Sequence, residues 1–585
     1  MNGRRKQRVT IIVIIISFSL LIQIQPMNVE GKEFSFSIKG MILPYNSLTM
    51  DYMCLLKDQL SKIGIFVDII EYNPWGWQIT FPDNYDMYLA RLRGGGLDPD
   101  FTGVYDENGS LNRSGYHTSM DWNETLGTGT NEWYIKQGTQ IMPPDGEERI
   151  QHYWNWEQYM MDKILPIQPT LVEQSYQAIW KNLENFNAAE GLIQSWGKMQ
   201  WIGTHQNQKA FNEVNIGDEA WKNLNPLFSN QNSEEFIVNA ILDPLVWYDA
   251  DLSTWPHLAE SYTMINDTHI RINLRKGVKW QEDPDGLFPN EYLDAQDVYF
   301  TYFALKNISN YPNLYRWLID MEIVDDDTID LFIDGNPNTA TKELYVNLIE
   351  SLNVGILPEH YLNQTQLSDG ITPDISHDSW SVFKSHPFGT GLFEFNENNG
   401  EETILGVFSD CWYLNQSITN DSNLEWERRF GDFSNGMEKL RIKTLDTQEL
   451  EIQFFEKGYL DIVNIPNDVY VLNQFFTSPN FNIQSISNRE LQYFVYNMHQ
   501  WRNTPISSCE PCPNDPNITI GLAVRKAISY AMNRAEMNTV IFGGKAIIND
   551  YPIYPRFGIW CNPNIIRYNH DLEKARYYMN LAGYG

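Results

Sequence analysis

The sequence predicts an α/β protein of mixed topology, divided into more than one lobe. Three observations carry this. The chain has 585 residues, more than one hydrophobic core usually holds, so two or three domains are expected. Hydrophobic residues make up 42% and aromatics 14%, enough to fill sizeable cores and to exclude a disordered chain. Strand-like alternation and helix-like spacing also interleave along the chain rather than separating into long runs, which is the α/β pattern.

Residues 1–32 read as an export element. Arg4, Arg5, Lys6 and Arg8 make a basic start, Val9 to Ile22 is almost wholly apolar, and Gln23, Gln25 and Pro26 end the run. The run is shorter than the roughly 20 residues that span a bilayer. A cleaved signal and an N-terminal membrane anchor both remain open, and either puts the rest of the chain outside the cytoplasm.

Phe34 to Lys39 then alternates as a strand. Met50 to Ile63 has helical spacing, with Gly64 where a helix stops, and Ile65 to Tyr72 is a second strand. Met87 to Leu92 is a third strand, broken by Gly94, Gly95 and Gly96. This rhythm implies parallel strands joined by a right-handed crossover. A long loop runs to about Asn131, Glu147 to Ile164 reads as a helix, and Thr170 to Trp180 as a strand. The Asn- and Gln-rich stretch 206–232 lacks periodicity and reads as linker. Further on, Thr268 to Leu274 and Thr328 to Ile333 alternate as strands, and Asp294 is placed to cap a helix running to Ala304. Val524 to Val540 reads as one helix and Asp571 to Leu581 as another, stopped near Gly583.

The formal net charge of −33 argues against nucleic acid and anionic membrane surfaces as partners, since both need clustered Lys and Arg. Sequons at Asn108, Asn112, Asn123, Asn266, Asn307, Asn363, Asn415, Asn420 and Asn517 agree with export. Cys509 and Cys512 lie in a loop rich in Pro, Asn and Asp. A redox Cys-x-x-Cys opens a helix after a strand, so this pair reads as a structural disulfide of an oxidising compartment. No metal set and no cofactor motif is present. Nor is there a Gly-x-Ser-x-Gly, a His-Glu-x-x-His or a phosphate loop, and the 10 His do not cluster. No catalytic residue is nominated.

Several longer segments carry a resemblance: PHLAESY at 256–262, THIRINLRKGVKW at 268–280, DAQDV at 294–298, HPFGTGLF at 386–393, FEKGYLDI at 455–462, YFVYN at 493–497, VRKAISYAMNR at 524–534, and DLEKA at 571–575 leading to AGY at 582–584. In this order they resemble the family-5 extracellular solute-binding proteins, the oligopeptide-, dipeptide- and nickel-binding components of ABC importers. Departures are Leu392 where the family has Pro and Asn533 where it has Asp. The family's remaining third resembles the front of this chain: LLKDQLSKIGIFVDII at 55–70, YDMYLA at 85–90, LDPD at 97–100, and Glu148-Arg149 through PIQP at 166–169. Residues 33–206 therefore resemble the family's C-terminal third and 207–585 its first two thirds, the order of a circular permutation or of a broken tandem in which the tail of one copy is fused to the head of another, and the permutation is the preferred reading. The ends near Glu33 and Gly585 should then meet in space.

The resemblance implies a two-lobed, type II periplasmic-binding-protein-like fold with an extra subdomain and mixed sheets. A hinge would let the lobes close on a peptide or small solute. It implies a monomer that hands its ligand to ABC permease subunits, and an N-terminal segment that is not cleaved would hold it at the membrane. It also nominates site residues. Asp98 is the candidate for a ligand amine, although its place before Pro99 equally suits a turn. Arg91 suits a ligand carboxylate or an ion pair. Trp75 suits a cleft wall or a core. Asn230 and Gln231 lie where relatives contact ligand backbone. The alternatives are an exported glycosidase with paired carboxylates and a ligand-sensing surface protein of the same fold.

Overall fold

The computed structural model describes residues 34–42, 47–71, 85–93, 96–229 and 231–585. The N-terminal basic and apolar segment lies outside these, as do Trp75 and Asn230.

The strand Phe36–Ile42 lies parallel to Ile65–Glu71 on one side and to Met87–Arg93 on the other. The helix Ser47–Ser61 joins the first two and buries Tyr52, Met53, Leu56 and Leu60 against the sheet. Each such burial stabilises by about 1.5–3 kcal/mol. Gly64, at φ 80°, turns the chain back into the second strand. The sheet does not end there. Glu490–Tyr496, from the far end of the sequence, lies antiparallel to Met87–Arg93, and Ile167–Pro169 pairs with its other edge. All seven residues of Glu490–Tyr496 are buried, as befits a strand covered on both faces. This five-stranded sheet and the helices around it form one lobe, whose core draws on residues from Ile38 to Leu171 and from Leu491 to Ala582, and on Leu252 reaching in from the other lobe.

The second lobe has its own core, drawn from residues 179–462. It holds the sheet Ala259–Asn266, His269–Leu274, Thr328–Ile333 and Leu318–Asp325, and the sheet Glu213–Asp218, Lys439–Thr444, Glu402–Val407 and Phe393–Asn398. The DAQDV segment is a capping box. Asp294 accepts from the N–H groups of Gln296 and Asp297, and the Asp297 carboxylate accepts from the N–H of Asp294. Asp297 also accepts from Trp280 Nε1 and from the N–H of Glu359. It ties the helix start to two neighbouring loops.

Between the lobes lies a three-stranded sheet, Ile462–Ile465, Gln174–Trp180 and Phe481–Ser487. Among the described residues the chain passes from one lobe core to the other twice, through 171–179 and 465–491. Each sequence block thus supplies one crossing. At the described ends, Ser35 Oγ donates to the Tyr584 carbonyl at 3.0 Å, and the rings of Phe36 and Tyr584 lie 4.7 Å apart.

Three readings of the sequence are corrected. The stretch 206–232 contains the strand Glu213–Asp218, parallel to Lys439–Thr444. Its alternation is too short and polar to stand out alone. The helix read over 524–540 is two, Ile520–Ala531 and Arg534–Phe542, with Asn533 capping the second. Cys509 and Cys512 are separate thiols. Cys512 is buried in a small hairpin between Pro511–Cys512 and Asp515–Thr519, while Cys509 is exposed before it.

Candidate functional site

The two lobes meet along a seam. The Glu350 carboxylate, on a short helix of the 179–462 lobe, accepts from the N–H of Leu97 at 3.0 Å across the gap. Asp145, on the other lobe, accepts from Thr254 Oγ1 and from the Tyr262 hydroxyl, both at 2.7 Å. Backbone also meets backbone, since the N–H of Ile559 donates to the Asp251 carbonyl at 3.0 Å. Gly558 makes this approach possible: a Cβ there would lie 2.0 Å from the Asp251 carbonyl oxygen. Tyr248, Leu252, Ile559 and Trp560 close the apolar side of the seam. About 20 Å³ of free space remains, room for about one water. Burial pushes the Glu350 carboxyl above its usual range, with nearby Asp98 adding to this and Arg489 opposing it.

Asp98 lies at this seam, but its carboxylate is bound within its own lobe. Arg149 holds it in two bonds, Nη1 to Oδ2 at 2.6 Å and Nη2 to Oδ1 at 2.8 Å. The Arg149 side chain is 0% exposed and also donates to the carbonyls of Gly138 and Pro144. Asp98 Oδ1 further accepts from the N–H of Asp100, the turn expected before Pro99. In this structure Asp98 is both the turn residue before Pro99 and the anchor of a buried ion pair.

Arg91 is likewise engaged in ion pairs. It pairs with Glu490, and with Glu173 at 2.7 Å. Arg93 donates to the other oxygen of Glu490 at 2.9 Å. Glu173 lies on one interlobe crossing and Glu490 at the end of the other, so Arg91 cross-links the hinge. The Glu490 side chain is 2% exposed, and a buried carboxylate needs this double compensation.

Gln231 caps the helix Asn232–Ile241. It lines a second cavity of about 730 Å³, bounded also by the strand Glu213–Asp218 and the hinge sheet. Trp75 and Asn230 fall outside the described residues. Sequence reasoning missed Glu350, Asp145 and Gly558. They come from distant parts of the chain and sit in no motif, so only the folded seam brings them together. Among the described residues, no group of three His, Cys, Asp or Glu is placed to hold a metal.

The family model for bacterial extracellular solute-binding proteins, family 5, middle part, matches residues 254–585, more than half of the chain. The protein belongs to this family. Solved structures similar to it include the oligopeptide-binding protein AppA of Bacillus subtilis in complex with a nonapeptide (17% identity, 63% of each chain covered, TM-score 0.36). Another is the binding protein DppA of Helicobacter pylori in complex with the peptide STSA (18% identity, 64% of this chain and 65% of that one, TM-score 0.37). A third is NikZ of Campylobacter jejuni in complex with Ni(L-His) (19% identity, 63% and 62%, TM-score 0.36). The aligned part spans just under two thirds of each of these chains. No curated protein matches the chain.

Proposed function

We propose that the protein is the extracytoplasmic binding component of an ABC importer, closing its two lobes on a peptide or a similar small solute. Membership of the solute-binding family is the observation that carries this reading. The geometry supports it: two lobe cores, two crossings braced by Arg91, Glu173 and Glu490, and a seam held by few polar contacts. Such a seam opens by hinge bending and closes when a ligand bonds to both sides. The reading is non-enzymatic, monomeric and circularly permuted, with export directed by residues 1–32. Ser35 against Tyr584 supports the permuted order. Among the described residues no helix is long and apolar enough to cross a membrane.

The test combines native mass spectrometry of the purified protein, to weigh any co-purified guest, with small-angle scattering against short peptides and metal–amino-acid complexes. The expected result is a ligand mass and a fall in radius of gyration with at least one compound. No adduct and no compaction across the panel would sink the proposal.

A further inference from the structure

The five-stranded sheet turns one face to the helix Ser47–Ser61, where the Tyr52 hydroxyl bonds to Gln492 and its ring meets Phe494. Side chains alternate along a strand, and Tyr88 lies opposite Val495 as Ala90 lies opposite Tyr493. Tyr88 and Tyr493 therefore share the other face. Tyr554 joins them from the segment that runs into the seam at Gly558, its ring 5.2 Å from those of Phe101 and Phe557. The three tyrosines are 6%, 2% and 6% exposed. Among the described residues their hydroxyls make no hydrogen bond. Nor do these hydroxyls belong to the unpartnered polar atoms that are sealed off from all space, so each opens onto a gap.

Arg113, from the loop that follows Met87–Arg93, stands beside them, and among the described residues its guanidinium has no hydrogen bond or ion pair. Burial pushes the hydroxyls of Tyr88 and Tyr493 above their usual range, and the charge of Arg113 opposes this at both. At Tyr554 burial acts the same way and Arg489 opposes it. The hydroxyls thus stay protonated at neutral pH and act as donors. Toward the seam, Arg556 reaches only the Ser487 carbonyl, at 3.5 Å, and burial followed by the like charge of Arg489 lowers its pKa. Glu350 faces Arg489 from the other lobe. Glu490, the carboxylate that bears on Tyr554, is already held by Arg91 and Arg93. Donors left without acceptors suit an incoming anion, because a charged acceptor recovers the cost of leaving them bare. We propose that the guest of the interlobe cleft carries a carboxylate, received by Arg113 and the hydroxyls of Tyr88, Tyr493 and Tyr554. A free dicarboxylic acid and an acidic side chain of a peptide share this chemistry. The closed seam leaves room for about one water, so the guest enters as the lobes part. The inference rests on the importer reading and adds the chemical class of its guest.

The test is calorimetric titration of the full chain, with small-angle scattering alongside, using glutarate and the C-terminal amides of Ala-Glu-Ala and Ala-Gln-Ala. Wild type is expected to bind glutarate or the Glu peptide about tenfold or more tightly than the Gln peptide. The stronger of the two acids identifies the source of the carboxylate. Arg113→Gln and the double variant Tyr493→Phe/Tyr554→Phe remove groups that have no partner in the free protein, so their ligand-free melting temperatures should match that of wild type. Each should bind the acid about tenfold or more weakly and the Gln peptide as before. Unchanged affinity of the folded variants for the acid overturns the inference. Equal affinity of wild type for the Glu and Gln peptides, with compaction on both, overturns it and leaves the importer reading standing. Absence of binding by either acid overturns it as well, whereas the importer reading falls only on its own wider panel.

Discussion

Asp98 and Arg149 show how one residue can match a family position and still do different work. The guanidinium is fully enclosed and all its bonds are internal. Asp98→Asn would strand a buried cation, which costs about 3–5 kcal/mol. Chemical denaturation should show a loss of that size, and ligand affinity in the protein that remains folded should change little. A large affinity loss at unchanged stability would return Asp98 to the ligand. Glu451 gives a second prediction at this scale. Its folded-state pKa, about 6, lies above that of an unfolded carboxyl, so the folded form binds more protons between the two values. Stability from this group is present at pH 4–5 and is lost as pH rises through about 6. Glu451→Gln should therefore raise the melting temperature at pH 7 and leave it nearly unchanged at pH 4.5. An equal shift at both pH values would refute that sign.

At the scale of elements, the backbone contact of the seam is made by one loop, Asp249–Ser253, pressed against Gly558. No Cβ fits 2.0 Å from a carbonyl oxygen, and φ 51° is left-handed. Gly558→Ala should push the loops apart at a cost of about 1–3 kcal/mol. The expected readout is faster proteolysis within 249–253 and a larger radius of gyration; an unchanged profile would mean that the seam is held elsewhere. The sequence made the regular elements legible and the seam illegible, for one physical reason. The helix Ser47–Ser61, its Gly64 turn and the Asp294 capping box are written in local spacing, which a single pass along the chain detects. The strand Glu213–Asp218 was missed because its polar alternation gains meaning only beside Lys439–Thr444. The break at Asn533 was missed because apolar spacing continues through it, and only the cap marks the restart. Of the nominated residues, Gln231 does line a cavity, whereas Asp98 and Arg91 were drawn into ion pairs whose partners lie 51 to 399 positions away.

At the scale of the whole molecule, the two sequence blocks are not independent units. The strand Glu490–Tyr496 sits between Met87–Arg93 and Ile167–Pro169, and Gln174–Trp180 sits between Ile462–Ile465 and Phe481–Ser487. Removing either block would expose two sheet interiors, with unpaired backbone on both. Chain order, in contrast, should matter little to stability, because the described ends already touch at Ser35 and Tyr584. A chain starting at Ala210, running to Gly585, joined by a short Gly/Ser linker to Phe34 and ending at Lys209 keeps every sheet pairing. The new break falls between Trp201 and Glu213, a stretch with no regular secondary structure in which Ile202 and Phe211 are more than half exposed, the kind of site where new termini are tolerated. Loop closure changes by a logarithm of length, so the two orders should differ by about 1 kcal/mol or less. The rearranged protein is expected to melt within a few degrees of the natural order and to bind the same ligand. Failure to fold, with the linker lengthened to exclude strain, would mean that the natural order is needed to assemble the shared sheets.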